Sequence, residues 1–132
     1  ITFTPEEIKI LRNHLLKGAF LHVDDNYGLD ASFRIVVNNL FPDKELVELP
    51  HEHKIFNCFY TFDNGLPKIH KHDNKPPQAL GVFHNKKLIL LYTYESDIGD
   101  GWEDKNVHND PYELREKALK MGTNIVIYSL TQ

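Results

Sequence analysis

Residues 79–94, ALGVFHNKKLILLYTY, decide the fold. Two apolar runs, Ala79 to His84 and Lys87 to Tyr94, flank Asn85-Lys86. Two turn-forming residues between such runs predict a β-hairpin. The second run, apolar from Leu88 to Tyr94, empties into ESDIGDGWEDKNVHNDP, residues 95–111. That loop carries six carboxylates, Glu95, Asp97, Asp100, Glu103, Asp104 and Asp110, with the only Trp, Trp102, and His108 among them. A solubilising loop rarely needs Trp, and a folding core rarely needs so many acids. The stretch reads as a constructed site or a cation-seeking surface.

Upstream of the hairpin, Thr4-Pro5-Glu6-Glu7 predicts a helix start, with Thr4 as cap, Pro5 at the first turn and Glu7 completing a capping box. Ile8, Leu11, Leu15 and Leu16 form its apolar face, and Gly18 ends it. Ala19 to Val23 is a short apolar strand stopped by Asp24-Asp25-Asn26. Asp30 is the expected cap of a second helix that buries Phe33, Val36, Val37, Leu40 and Phe41 and stops at Pro42. Glu45 to Leu49 reads as another strand. Residues 50–77 are irregular, with one helical turn expected near Ile55 to Tyr60.

Downstream, Asp110-Pro111-Tyr112-Glu113 is a second capping-box pattern. Leu114, Ala118, Met121, Ile125 and Tyr128 then recur at helical spacing. They predict one helix running through Gly122 to about Leu130. The competing reading stops at Gly122 and makes Asn124 to Leu130 a strand; the periodicity favours the helix. Strand, helix, strand, hairpin, helix is the pattern of an α/β layered domain, and residues 1–132 show neither internal repeat nor linker. The chain opens on a helix where such folds usually begin with a strand. A preceding strand region is therefore expected, whose absence would leave Ile8, Leu11 and Leu15 uncovered and favour oligomers.

At 132 residues, 41% hydrophobic and 26% charged, the composition is that of a globular domain with a real core. A formal charge of −4 argues against a nucleic-acid partner. One cysteine, Cys58, excludes an internal disulfide and a cysteine-rich zinc site. Its Asn57-Cys58-Phe59-Tyr60 context lacks the small neighbours of a strained nucleophile. No apolar run is long enough to span a membrane.

Chemistry is expected where strands end. In open α/β sheets, ligands sit outside the carboxyl ends of parallel strands. Ala19 to Val23 ends in Asp24-Asp25, and Leu88 to Tyr94 ends in Glu95-Ser96-Asp97. If the strands are parallel neighbours, both acidic tips face one crevice. The bland alternative is that Asp24 and Asp25 only bond loop amides. The acidic loop does not match the helix–loop–helix calcium signature, because the distal Glu is missing. His51/His53 and His70/His72 have i, i+2 spacing, which lets either pair chelate a metal on extended backbone.

Five segments carry a family resemblance: HLLKGAFLHVDDNYGLD (14–30), LFPDKELVELPHEHKIF (40–56), NGLPKIHKHDNKPPQALGV (64–82), LYTYESDIGDGWED (91–104) and KALKMGTNIVIYSLTQ (117–132). Together they resemble the bacterial family called domain of unknown function 4159, over nearly the whole chain. The resemblance implies the C-terminal part of a larger domain. Its implied fold is a flavodoxin-like three-layer α/β sandwich, similar to the class I glutamine amidotransferase-like group that includes trehalose-utilisation-like proteins. Close look-alikes are exported proteins of Bacteroidetes-type bacteria, which implies a periplasmic or exported location. The amidotransferase Cys–His–Glu triad finds no place on this sequence, which argues against glutaminase chemistry.

Three functional readings follow. The first is an envelope domain binding a small polar, sugar-like ligand in a crevice of Asp24, Asp25, Tyr27, Glu95, Asp97 and Trp102, with the indole stacking on the ligand. The second is a metal-assisted hydrolase in which His70, His72 or His108 joins those acids around a divalent cation. The third is a protein-interaction module presenting Trp102 and the acidic loop to a basic partner.

Overall fold

The computed structural model describes residues 1–25 and 27–132, and the chain enters on a capped helix. Thr4 N–H donates to Glu7 Oε2 at 2.7 Å and Glu7 N–H donates to Thr4 Oγ1 at 3.3 Å, closing the expected capping box at the head of α1 (Pro5–Leu16). Gly18, at φ 108°, turns the chain out of the helix and into β1 (Leu21–Asp24). The next helix, α2 (Asp30–Leu40), does not use Asp30 as its cap. Leu29 holds that position, and Asp30 instead accepts from Arg34 Nε and the Tyr92 hydroxyl.

β2 is only Val47–Glu48, shorter than the apolar run suggests. A 3-10 turn at Lys54–Phe56 stands where one helical turn is expected. The hairpin follows as β3 (Gln78–His84) and β4 (Lys87–Tyr94), with Asn85 and Lys86 both at positive φ, the backbone of a type I′ turn. After a 3-10 turn at Asp100–Trp102 come the single-turn helix α3 (Lys105–His108) and the long helix α4 (Tyr112–Thr131). α4 runs through Gly122 without a break, as the periodicity predicts.

The sheet order is β1-β4-β3-β2. β1 and β4 are parallel neighbours, with Leu21 opposite Leu90 and Asp24 opposite Thr93. The other two pairings are antiparallel. The result is a mixed α/β fold with an open four-stranded sheet. Among the described strands only one pair is parallel, which departs from the largely parallel sheet of a flavodoxin-like domain.

Both faces of the sheet are covered. On one, Leu15 of α1 and Phe33, Val36, Val37 and Leu40 of α2 pack on Leu80, Val82, Leu90 and Tyr92. On the other, Ala118, Met121 and Ile125 of α4, with Ile55, Phe56, Leu66 and Ile69, pack on Ala79, Leu88 and Leu91. Each fully buried Leu, Ile or Phe contributes ~1.5–3 kcal/mol, so these two cores set where every loop must start and end. A bulge opposite Val82 and Phe83 lets Ile89 and Leu90 both point to the first face. Asn124, fully buried on α4, donates to Ile55 O and Tyr60 O and accepts from Tyr60 N–H, tying the irregular 55–60 segment to the helix. None of the described helices is long and apolar enough to cross a membrane.

Candidate functional site

The parallel pairing of β1 and β4 brings both acidic tips to one edge of the sheet, and there the two tips part. Asp24 accepts from Thr93 Oγ1 at 2.5 Å and from Gly99 N–H at 2.8 Å, one bond on each oxygen. Asp25 is buried and accepts from Leu29 N–H at 3.0 Å at the entry to α2. Backbone amides and a buried hydroxyl satisfy these two carboxylates, as in the bland alternative of loop bonding. Burial pushes the Asp24 carboxyl up to about 6, against the hydrogen bonds from Thr93 and Gly99, with a smaller push from the charge of Asp97.

Asp97 is different. The loop that carries it is pinned on three sides. Ile98 is fully buried in the core, Gly99 N–H reaches Asp24, and Ser96 bonds the preceding irregular segment through Ser96 Oγ to Pro67 O (2.6 Å) and Ile69 N–H to Ser96 O (2.8 Å). That stitching lays residues 67–72 alongside the loop. It delivers the His70/His72 pair to Asp97 across a separation of 25 residues, the grouping of imidazoles and acids that the metal reading of the sequence expects.

His72 Nε2 bonds Asp97 Oδ2. His70 uses both ring nitrogens: Nε2 donates to Asp110 Oδ1 at 2.7 Å, while Nδ1 lies 3.2 Å from Asp100 Oδ2 and 3.7 Å from Asp97 Oδ2. One ring nitrogen each from His70 and His72 and one Asp97 oxygen all lie within 4.8 Å of one another. Asp100, Glu103 and His108 form a second such group beside the first. Burial alone would depress His70, but the hydrogen bond it donates to Asp110 and the charges of Asp110, Asp100 and Asp97 outweigh it and hold His70 above the usual histidine range. Burial raises Asp97, against the hydrogen bond and charge of His72.

The backbone around this edge is strained. Among the described residues, Tyr27, Glu95, Asp97 and Asn109 have φ between 51° and 59° without being glycine. Such conformations cost of order 1–3 kcal/mol each and collect where side-chain placement matters more than local comfort. Asn109 lets His108 and Asp110 reach the cluster from either side of one residue. The capping box expected at Asp110 does not form: Pro111 occupies the N-cap without a side-chain bond, because Asp110 is engaged with His70.

The other expected site residues are spread out. Tyr27 is exposed, with its ring 5.1 Å from that of His72. Glu95 pairs with Lys68 at 3.4 Å, inside a small network that includes Asp73. Trp102 turns away from the carboxylates: its indole N–H donates to Ala118 O, and it lines a hollow of about 410 Å³ with Leu119, Gly122, Thr123, Val126 and Ile127 on α4. Cys58 donates to Asn124 O and burial raises its thiol, which suits packing and not nucleophilic attack. His51 is remote from the cluster and packs against Gly65. Asp100, Glu103 and Asp110 join the cluster from among the six loop carboxylates without belonging to the crevice expected from sequence. Asp110 was hidden by its resemblance to a helix cap, and Asp100 by its place in an acidic run.

A family model described as Domain of unknown function (DUF4159) matches residues 1–130. No curated protein matches the chain.

Proposed function

This chain belongs to the family named for domain of unknown function 4159, and from that premise we propose that it is a divalent-cation-binding domain. One observation carries the reading. His70 Nδ1, His72 Nε2 and Asp97 converge, while Asp110 accepts from the other nitrogen of His70. A carboxylate behind a metal-ligating histidine fixes its tautomer and turns the free nitrogen to the ion. Two imidazoles and a carboxylate suit zinc and similar first-row cations, and three protein ligands leave a position for water or substrate. Ligand atoms around such an ion lie roughly 3–4 Å apart, so small side-chain rotations suffice.

The chemistry that follows is Lewis-acid hydrolysis. A cation there would bring its bound water toward deprotonation near neutral pH and polarise an oxygen of a polar substrate. Exposed Tyr27, beside His72, is placed to contact that substrate. The six-residue crevice reduces in this reading to Asp97 and Tyr27, since Asp24 and Asp25 serve the scaffold, Glu95 pairs with Lys68 and Trp102 packs on α4. We also infer kinship with the amidotransferase-like sandwiches and an exported location; the first is supported by the parallel β1–β4 pair covered on both faces, the second by the sequence resemblance alone.

The test is thermal unfolding after chelation, with and without added Zn²⁺ or Mn²⁺. An ion at a hundred times its Kd adds about 2.7 kcal/mol of stability. The wild-type protein and Asp25→Asn should gain that stabilisation, and His72→Ala and Asp97→Asn should not. No response of the wild type to either ion, or an undiminished response in both site variants, would sink the reading.

A further inference from the structure

We propose that this edge holds two cations bridged by the carboxylate of Asp100, an extension that rests on the single-cation reading above. Asp100 is nearly buried, and its two oxygens face different imidazoles: Oδ2 lies 3.2 Å from His70 Nδ1, and Oδ1 lies 3.8 Å from His108 Nε2. The carboxylate therefore stands between the His70–His72–Asp97 group and the Asp100–Glu103–His108 group. Glu103 completes the second group, with Oε1 3.5 Å from His108 Nε2.

How each carboxylate is satisfied separates site from scaffold. Asp24 and Asp25 take backbone amides. Among the described residues no backbone amide donates to Asp97, Asp100 or Asp110; their partners are imidazole nitrogens. Imidazole is the partner that can give up its proton and become a metal ligand. A structural carboxylate gains nothing from that property, and a bridging one needs it on both oxygens.

Charge points the same way. Asp97, Asp100, Glu103 and Asp110 bring four carboxylates to one edge, with His70, His72 and His108 neutral once they ligate. One divalent cation leaves two negative charges uncompensated, a site that repels anions. Two cations compensate all four and let an anionic oxygen ligand, such as a phosphate group, span the pair. Two-metal sites with ions about 3.5–4 Å apart stabilise both the attacking and the leaving oxygen in such displacements.

The experiment is a Zn²⁺ titration of the protein stripped of metal by chelation, in competition with a chromophoric chelator, with elemental analysis of the loaded protein after gel filtration. Wild type should bind two equivalents. His108→Ala and Glu103→Gln should each bind one, with the affinity of the retained ion changed less than about threefold. Asp100→Asn should weaken the second ion at least tenfold. Inorganic phosphate should tighten Zn²⁺ binding to wild type and leave binding to His108→Ala unchanged. One equivalent in wild type that His72→Ala removes and His108→Ala keeps would overturn the bridge and leave the single-cation reading standing. No bound ion in wild type overturns both. Two equivalents retained by His108→Ala and Glu103→Gln alike would also overturn the bridge.

Discussion

Trp102 and Gly122 show how one residue fixes another across two elements. A Cβ on Gly122 would lie 2.9 Å from Trp102 Nε1 and 3.0 Å from Cε2, while the same indole N–H donates to Ala118 O at 2.8 Å. The indole cannot slide along α4 without losing that bond. Ala in a helix interior gains ~1 kcal/mol over Gly, and forcing atoms into a packed contact costs ~1–3 kcal/mol. Gly122→Ala should therefore lose about 1 kcal/mol in urea unfolding, although helix propensity alone predicts a gain. A gain would show that Trp102 leaves the helix freely. The carboxylates teach a matching lesson about legibility. Asp24-Asp25 and Asp97 both follow apolar strands, so sequence alone ranks them equally. What divides them is whether a backbone amide comes within reach, and that depends on the left-handed turns at Glu95 and Asp97, which those residue types do not announce.

At the scale of elements, the fully buried Asn124 joins α4 to the 55–60 segment through three hydrogen bonds. Asn124→Leu keeps the volume and leaves Ile55 O, Tyr60 O and Tyr60 N–H without that partner. Unsatisfied buried groups cost ~1–3 kcal/mol each, so a loss of about 3–5 kcal/mol is expected. Proteolysis should then cut residues 55–62 before the rest unfolds; global unfolding with no early cut would mean that other contacts hold the segment. Elements with local signals were readable in advance. The capping box of α1, the period of α4 through Gly122 and the two-residue turn of the hairpin all appear as the sequence predicts. β2 and residues 50–77 were not readable, because their conformation is set by distant partners. Val47 pairs Gly81, Ile69 bonds Ser96, and Lys68 joins Glu95. The failed caps at Asp30 and Asp110 share one cause: each carboxylate has a tertiary partner, Tyr92 for Asp30, which also takes Arg34 one turn along its own helix, and His70 for Asp110.

For the whole molecule, the parallel β1–β4 pair buries a polar chain whose two ends respond to pH in opposite senses. His22 Nε2 lies 2.9 Å from Thr93 Oγ1, and that hydroxyl donates to Asp24 Oδ1. Burial drives His22 down to about 4 and Asp24 up to about 6. His22 stays neutral in the fold and binds a proton more readily when unfolded, so its contribution to stability is lost as pH falls from 6.5 toward 4. Asp24 holds its proton more tightly when folded, so its contribution is fully present below 3.8 and is lost as pH rises through about 6. Each shift corresponds to about 3 kcal/mol at 1.36 kcal/mol per unit, so across pH 4–6 the two slopes nearly cancel. Asp24→Asn removes one of them. Asn can accept from Gly99 N–H and donate to Thr93 Oγ1, which then donates to Val23 O, 3.3 Å away. The variant should be more stable than wild type at pH 7, by up to about 3 kcal/mol, and its advantage should vanish near pH 4. Its own stability should fall more steeply than that of wild type as pH drops below 6.5 toward 4. Urea unfolding of both proteins at pH 4, 5, 6 and 7 measures the two profiles. Parallel profiles would mean that Asp24 titrates alike in the folded and unfolded chain, and that the buried chain through Thr93 carries no opposing pair.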